Sequence, residues 1–324
     1  MPEGSPSVLI IRLDAIGDAL ALTPLLAALE RRSFPVDVVL RPSNAGVFSS
    51  RAAREIFVAG FDLRSNAPSN LAAIQRTGRE LRSRNYSHVL VATEDPGGYR
   101  LAGAVGAPVR IGFHDPWGKP LKALWSRRFL TRGVYRSAGL DPRGPHECEV
   151  LFRLTAGVID ATQPIRDAGA LRPLVLEREP EPDDRIAVQV TDKWERLGVP
   201  FDDVVAMIRR LAANGPLRGL SSKLEADYAQ RIAGATGIAI SYFDEIEPWK
   251  AAIAAAPAIV TPDSGALHVA GMVGTPVVAI FPPDRNYALQ VARWFPWAAP
   301  HRIVRAGDDL ANRAGDALVS LIAT

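Results

Sequence analysis

A single cysteine, Cys148, in a chain of 324 residues excludes an intrachain disulfide, and the count fits a reducing compartment. The basic residues that would open a secretory leader are missing from Met1 to Pro6, and Arg12, Asp14 and Asp18 interrupt the apolar run that follows, so no signal peptide is expected. Long apolar runs are also missing, because Gly and Pro break the richest ones before they could cross a bilayer. A net charge of +3 is too small to argue for nucleic acid, and the aromatic-basic signature of an RNA-binding module is absent. Five histidines and one cysteine show no metal-ligand spacing, so no metal and no resident cofactor are expected. No Gly-x-Gly-x-x-Gly follows the first apolar run, which weakens a dinucleotide-binding reading, and the absence of Gly-x-x-x-x-Gly-Lys-Ser/Thr rules against a P-loop. These absences leave the expectation of a soluble, cytoplasmic protein.

What is present is an alternation. With 48% apolar and 23% charged residues the chain can bury substantial cores, and its length suggests two domains. Val8 to Ile11 reads as a strand, followed by the turn Arg12 to Asp18 and one long helix, Ala19 to Arg32. Strands at 36–40, 88–92 and 110–113 alternate with helices at 71–84, 100–105 and 147–157. Pro164, Pro173, Pro180 and Pro182 then mark a linker, and from Ile186 the alternation restarts. The second series has strands at 186–190, 217–220, 238–242, 258–260 and 277–281, with helices at 202–214, 225–235, 249–255 and 308–322. This is the pattern of α/β domains with parallel sheets. The expected division is a first domain over 1–165, a linker over 166–185, a second domain over 186–307 and a terminal helix over 308–324.

In such sheets ligands sit beyond the carboxyl ends of the strands. Four turns lie there: Asp14 to Asp18, Glu94 to Arg100, Thr191 to Lys193 and Thr261 to His268. They come from both halves, which points to a cleft between domains. In the last turn Asp263 is a good N-cap, and the helix from Gly265 to Gly274 offers unpaired amides and a positive dipole end to an anion. Ser264 and His268 are four apart and share a face of that helix. Lys193 is either a solvated charge or a counter-ion for a diphosphate, with Thr191 adding a hydroxyl. Glu225 either complements a helix dipole or accepts from ribose hydroxyls. Asp18 is either a helix N-cap or a general base, with Asp14 as the competing base. Arg12 is structural or touches an acceptor, and Arg100 is a second candidate acceptor contact. From Trp117 to Arg136, aromatic and basic residues interleave at helical spacing, either as a surface helix packed on the core or as a basic face for anionic lipid or a phosphate-bearing acceptor.

Two stretches carry a family likeness. Ile10-Ile-Arg-Leu-Asp-Ala-Ile-Gly-Asp18 with Thr23-Pro24, and Thr261-Pro-Asp-Ser-Gly-Ala-Leu-His268 with Gly274-Thr-Pro276, resemble the N- and C-terminal signatures of the bacterial lipopolysaccharide heptosyltransferases, glycosyltransferase family nine. The resemblance implies an α/β GT-B fold, two Rossmann-like domains with parallel sheets facing a central cleft, acceptor on the first and nucleotide-sugar donor on the second. It implies an inverting, metal-independent transfer of a sugar, heptose from ADP-heptose, to a hydroxyl of an anionic cell-envelope glycan or glycolipid. Asp18 would be the base; Lys193 and the Asp263, Ser264, Gly265 and His268 turn would hold the diphosphate, and Glu225 would lie near the ribose. The terminal helix would cross back to the first domain, and the protein would touch the inner membrane peripherally. The alternatives are a nucleotide-sugar epimerase on the same architecture and a nucleotide-sugar-binding protein without catalysis.

Overall fold

The computed structural model describes residues 6–136 and 143–323. The opening Met1 to Ser5, part of the stretch read for a leader, lies outside the described residues. The chain divides into two compact units, Met1–Asp141 with Glu147–Ile165, and Pro142–His146 with Arg166–Thr324.

The first unit runs β1 (Val8–Ile11), α1 (Ile16–Leu20), α2 (Thr23–Glu30), β2 (Val36–Leu40), β3 (Glu55–Val58), α3 (Pro68–Arg82), β4 (His88–Val91), α4 (Pro96–Val105), β5 (Val109–His114), α5 (Pro120–Ser126), β6 (Arg132–Tyr135) and α6 (Glu147–Phe152). Its six strands are parallel in the order β3-β2-β1-β4-β5-β6. The second unit runs α7 (Ala168–Val175), β7 (Ile186–Gln189), α8 (Lys193–Arg196), α9 (Phe201–Ala212), β8 (Leu217–Ser222), α10 (Ala226–Thr236), β9 (Ala239–Phe243), α11 (Ile246–Ala255), β10 (Ile259–Pro262), α12 (Gly265–Val273), β11 (Val277–Phe281), α13 (Tyr287–Trp294), β12 (His301–Arg305) and α14 (Leu310–Ile322). Its parallel strands take the order β12-β11-β10-β7-β8-β9. Both sheets therefore wind outward in two directions from their first strand, the doubly wound order of a Rossmann-like fold.

Central strands are covered on both faces, which is why every side chain of β1, β2, β7, β10 and β11 is buried and most are apolar; the charged exception, Asp37 in β2, is paired with Arg54 Nη2 at 2.6 Å. Edge strands need no such run. β3 and β12, which the apolar pattern does not reveal, each lie at a sheet edge with most side chains half-buried or exposed.

Four expectations are corrected. The long helix over 19–32 is two helices, because Pro24 lacks an amide and its ring crowds the carbonyl four residues back; the Thr23 hydroxyl takes up that Leu20 carbonyl at 2.6 Å. The stretch 117–136 is a short helix and then a strand; of its aromatics Trp125 packs on Tyr99 and Phe129 on Trp125, while Trp117 and Tyr135 are exposed. The segment 166–185 is no linker: Asp167 caps α7 by accepting from the Gly169 amide, Leu171, Leu174 and Val175 are buried, and Arg172 donates to the last carbonyl of α12 at Val273 and to Ala254 of α11. The terminal helix stays with the second unit, where Leu310, Ala314, Leu318 and Leu321 enter the core beside Val204, Met207, Ile208 and Leu211 of α9.

Two predictions follow from this packing. Leu171→Ala should cost about 2–5 kcal/mol, read as a lower urea midpoint, whereas a linker position would change little. His146 is stacked on Phe295 and Trp297, with ring centroids 4.6 and 4.7 Å away, and its Nε2 donates to the Phe295 carbonyl at 2.9 Å. Burial pushes its pKa from 6.5 down to about 3. The unfolded chain therefore binds this proton first, so the stabilisation is complete above pH 6.5 and is lost as pH falls toward 3, at about 1.4 kcal/mol per pH unit. His146→Gln should flatten the slope of stability against pH in that window.

Candidate functional site

Divergent winding leaves a gap at the carboxyl ends of the two strands where the direction changes, since the crossovers from them leave to opposite sides. In the first unit that pair is β1 and β4, and in the second it is β7 and β10. The four turns singled out in the sequence are the four turns at these two pairs. Each unit thus carries a candidate half-site of its own.

In the first unit the turn after β1 is built on a buried guanidinium. Arg12, only 2% exposed, donates through Nε to the Asp18 carbonyl at 3.0 Å, through Nη2 to Asp18 Oδ1 at 3.0 Å and Glu147 Oε1 at 3.3 Å, and through Nη1 to the Ala92 carbonyl. Asp14 Oδ2 lies 3.3 Å from its Nη1. Burial alone would discourage the charge, but Asp14, Glu147 and Asp18 outweigh it and the guanidinium pKa rises. Burial also raises the pKa of Asp14 and of Glu147, against the pull of Arg12 on the first and of Arg136 and Arg12 on the second. Arg12 is therefore spent inside the unit, which corrects its reading as an acceptor contact: it positions Asp18.

Asp18 is not an N-cap. It sits in the first turn of α1 and reaches back, Oδ2 accepting from the Ala15 amide at 3.3 Å, while its side chain keeps 30% exposure. A carboxylate has about four lone-pair sites, so these two partners leave room for a hydroxyl. Arg100 donates to Asn66 Oδ1 and lies over the Trp125 ring at 5.5 Å, and its Nη1 has no hydrogen-bond partner among the described residues.

Glu147 was read from the sequence only as the head of a helix, with no role in a site. It is fully buried at the head of α6, and it joins Arg12 to Arg136, whose Nη2 lies 3.0 Å away. Arg136 continues to Glu94 at 3.5 Å, and Glu94 Oε2 accepts from Lys119 and Lys122, each at 2.8 Å. Burial opposes the Glu94 charge, but the two lysines hold its pKa down to about 2. Glu94, His114, Lys119, Lys122 and Arg136 line a small hollow beside the β5–α5 turn. Glu94 was visible as part of a strand-end turn; its partners come from three other elements that only folding brings together.

In the second unit the turn after β10 leads straight into α12. The N-cap is Ser264 and not Asp263, and its side chain makes no capping bond; its hydroxyl instead pairs with Thr261 Oγ1 at 3.0 Å. Asp263 continues the sheet, its amide donating to the Ile280 carbonyl at 3.0 Å. The first turn of α12, from Gly265, is left without a side-chain cap, a site for an anion. His268, one turn on, is buried with its ring edge-on to Trp294 at 5.4 Å. Gly274 ends the helix at φ +84°, where any side chain would be strained.

On the neighbouring strand end, Thr191 donates its hydroxyl to Glu225 Oε1 at 2.6 Å, and the Asp192 amide donates to the same oxygen at 3.2 Å. Burial raises the Glu225 pKa, and the Thr191 bond opposes it. Thr191 is thus turned to Glu225, and Glu225 is a partner of the turn more than a dipole charge. Lys193 follows at the start of α8, and among the described residues its ammonium has no carboxylate partner. Among the described residues, no three His, Cys, Asp or Glu side chains gather as a metal site. No helix there is long and apolar enough to cross a membrane.

The buried ionic cluster predicts its own energetics. Arg12→Ala takes from the buried Glu147 one of its two arginine partners and from Asp14 its cation, and should cost about 3–5 kcal/mol in urea unfolding. Glu147→Gln, which keeps the shape and removes the charge, should cost less.

Known proteins bear on this geometry. Residues 245–313, which contain the whole turn from Thr261 to His268, match the model of glycosyltransferase family 9 (heptosyltransferase). No curated protein sequence matches the chain significantly. Among solved structures, the glycosyl transferase family 9 protein from Veillonella parvula superposes with a TM-score of 0.74 at 14% identity, covering 100% of this chain and 99% of that one. E. coli heptosyltransferase WaaC with ADP gives 0.73 at 18% identity over 98% and 99%. E. coli ADP-heptose lps heptosyltransferase II gives 0.71 at 17% over 98% of each. At these identities the likeness establishes the fold, GT-B with two Rossmann-like domains. The family model speaks for the second unit's site. The segment that carries the turn after β10 thus matches family 9, and the whole chain shares the GT-B fold of the family 9 protein from Veillonella parvula.

Proposed function

We propose that the chain is an inverting, metal-independent transferase that moves heptose from ADP-heptose to a hydroxyl of an anionic cell-envelope glycan, such as a lipopolysaccharide core. The observation that carries this reading is that the family 9 match contains the turn after β10, where the start of α12 has no side-chain cap. A protein of the same fold, WaaC, has been captured with ADP. The donor belongs to the second unit. The amides from Gly265 onward, the Ser264 hydroxyl, His268 and the unpaired Lys193 ammonium take up the diphosphate charge. Asp263 and Glu225 accept from sugar or ribose hydroxyls, Glu225 with Thr191 already turned to it. The acceptor belongs to the first unit, with Arg100 as a contact. There Asp18, held by Arg12 and the Ala15 amide, takes the proton of the acceptor hydroxyl. The oxygen so freed forms a bond to the anomeric carbon from the face opposite the donor phosphate. The bond from that carbon to the phosphate oxygen breaks, its electron pair leaves with ADP, and configuration inverts. The protein works from the cytoplasm in peripheral contact with the inner membrane.

Asp18→Asn should lower turnover with ADP-heptose by about 10²–10⁴-fold, while the Kd for ADP, measured by titration calorimetry, stays within about twofold because the donor residues are untouched. Asp14→Asn is the control for the competing base and should lose far less. Lys193→Ala should behave oppositely, weakening ADP by about tenfold, since one desolvated charge contact contributes on that scale. An Asp18→Asn enzyme with full activity would end the base assignment, and an epimerised donor formed without acceptor would replace transfer with epimerisation.

A further inference from the structure

Helix α5 has two faces of unequal character. Ala123 and Ser126 are buried, and Trp125 packs between Tyr99 and Phe129 at centroid distances of 5.9 and 4.9 Å. The other side, with the residue one turn ahead, exposes Trp117 by 85%, Leu121 by 83% and Leu124 by 63%. Three large apolar side chains this open and this close in sequence form a ridge, and contiguous exposed apolar surface marks a place of contact.

Charge decides what meets it. Between Pro116 and Tyr135 the chain has Lys119, Lys122, Arg127, Arg128 and Arg132 and no acidic residue. Lys119 and Lys122 are held at the root of the ridge by Glu94. Arg127 and Arg128 are exposed, without a carboxylate partner among the described residues. A second copy docked through this face would set one basic collar against another and be repelled. A layer of lipid phosphates with an apolar interior beneath satisfies both features, with Trp117 at headgroup depth and the leucines below it. The helix has seven residues, enough to dip into the interface and far too few to span.

We propose that the Trp117, Leu121 and Leu124 ridge, with its basic collar, docks the first unit onto an anionic phospholipid bilayer. The purpose, bringing the acceptor-binding unit to a lipid-linked acceptor, rests on the transferase reading above, and the docking itself does not. Contact is shallow, so it is reversible and sensitive to salt.

The test uses the full chain and extruded vesicles of phosphatidylcholine alone or with about 30 mol% phosphatidylglycerol, read by co-sedimentation. The wild type should partition at least about tenfold more strongly onto the anionic vesicles, and raising salt from about 0.1 to about 0.5 M should remove most of that preference. The combined variant Trp117→Ser, Leu121→Ser, Leu124→Ser should lose at least about tenfold in partitioning with an unchanged melting temperature, since these side chains support no core. Its turnover on a lipid-free acceptor should also be unchanged. Arg127→Glu with Arg128→Glu should abolish the preference for anionic vesicles. A wild type that ignores vesicles overturns the proposal, as does a ridge variant that binds as well as wild type. So does a wild type that self-associates in ultracentrifugation when the ridge variant does not. Loss of transferase activity in every form with vesicle binding intact would remove the transferase reading and leave the docking surface standing.

Discussion

Both candidate half-sites depend on one constraint of winding. A parallel sheet needs crossover helices, and when successive crossovers leave the first strand in opposite directions, the ends of two adjacent strands cannot both be covered. The chain meets this condition twice, between β1 and β4 and between β7 and β10. Arg12 to Asp18 and Glu94 to Arg100 occupy one opening, Thr191 to Lys193 and Thr261 to His268 the other. The chemistry differs between the units, but the reason it lies where it does is the same.

The two openings handle charge in contrary ways. In the first unit charge is consumed internally: Arg12, Glu147, Arg136, Glu94 and two lysines form an alternating chain that runs from Asp18 to the β5–α5 turn. A buried ionic chain adds little net stability, but it fixes where each group points, and Asp18 inherits that fixity. In the second unit charge is withheld. The Ser264 hydroxyl is turned to Thr261 in place of the helix amides, and Lys193 is left unpaired among the described residues, so positive potential stays available to an incoming anion. For the transfer proposed above, the oriented carboxylate would serve the hydroxyl and the unneutralised anion site the diphosphate.

Much of the fold was legible because central parallel strands are covered on both faces and must be largely apolar. Val8 to Ile11, Val36 to Leu40 and Val277 to Phe281 could hardly be anything else. The strands that escaped notice, Glu55 to Val58, Arg132 to Tyr135 and His301 to Arg305, are edges, where one open flank relaxes the demand. The proline cluster after Pro164 misled for a related reason. Pro173 stands inside α7, and four prolines in twenty residues look like an open chain until Leu171 and Leu174 are seen buried. The interleaved aromatics of 117–136 read as one amphipathic face, yet half of them turn inward and half outward, which no periodicity count over a helix broken by a strand could separate.

Sequence by itself determined the two-unit α/β architecture and the four turns at the strand ends where the sheets change direction. These are local properties: a strand, a turn and a helix start are written in consecutive residues. Tertiary structure alone decided the partners. It brought Glu147 from 135 residues away to Arg12, turned Arg12 from a ligand contact into a support for Asp18, moved the helix cap from Asp263 to Ser264, and kept α14 with the second core. Each of these depends on a side chain meeting a group far away in sequence, and the energy of such a meeting is set by burial, which a one-dimensional pattern does not contain.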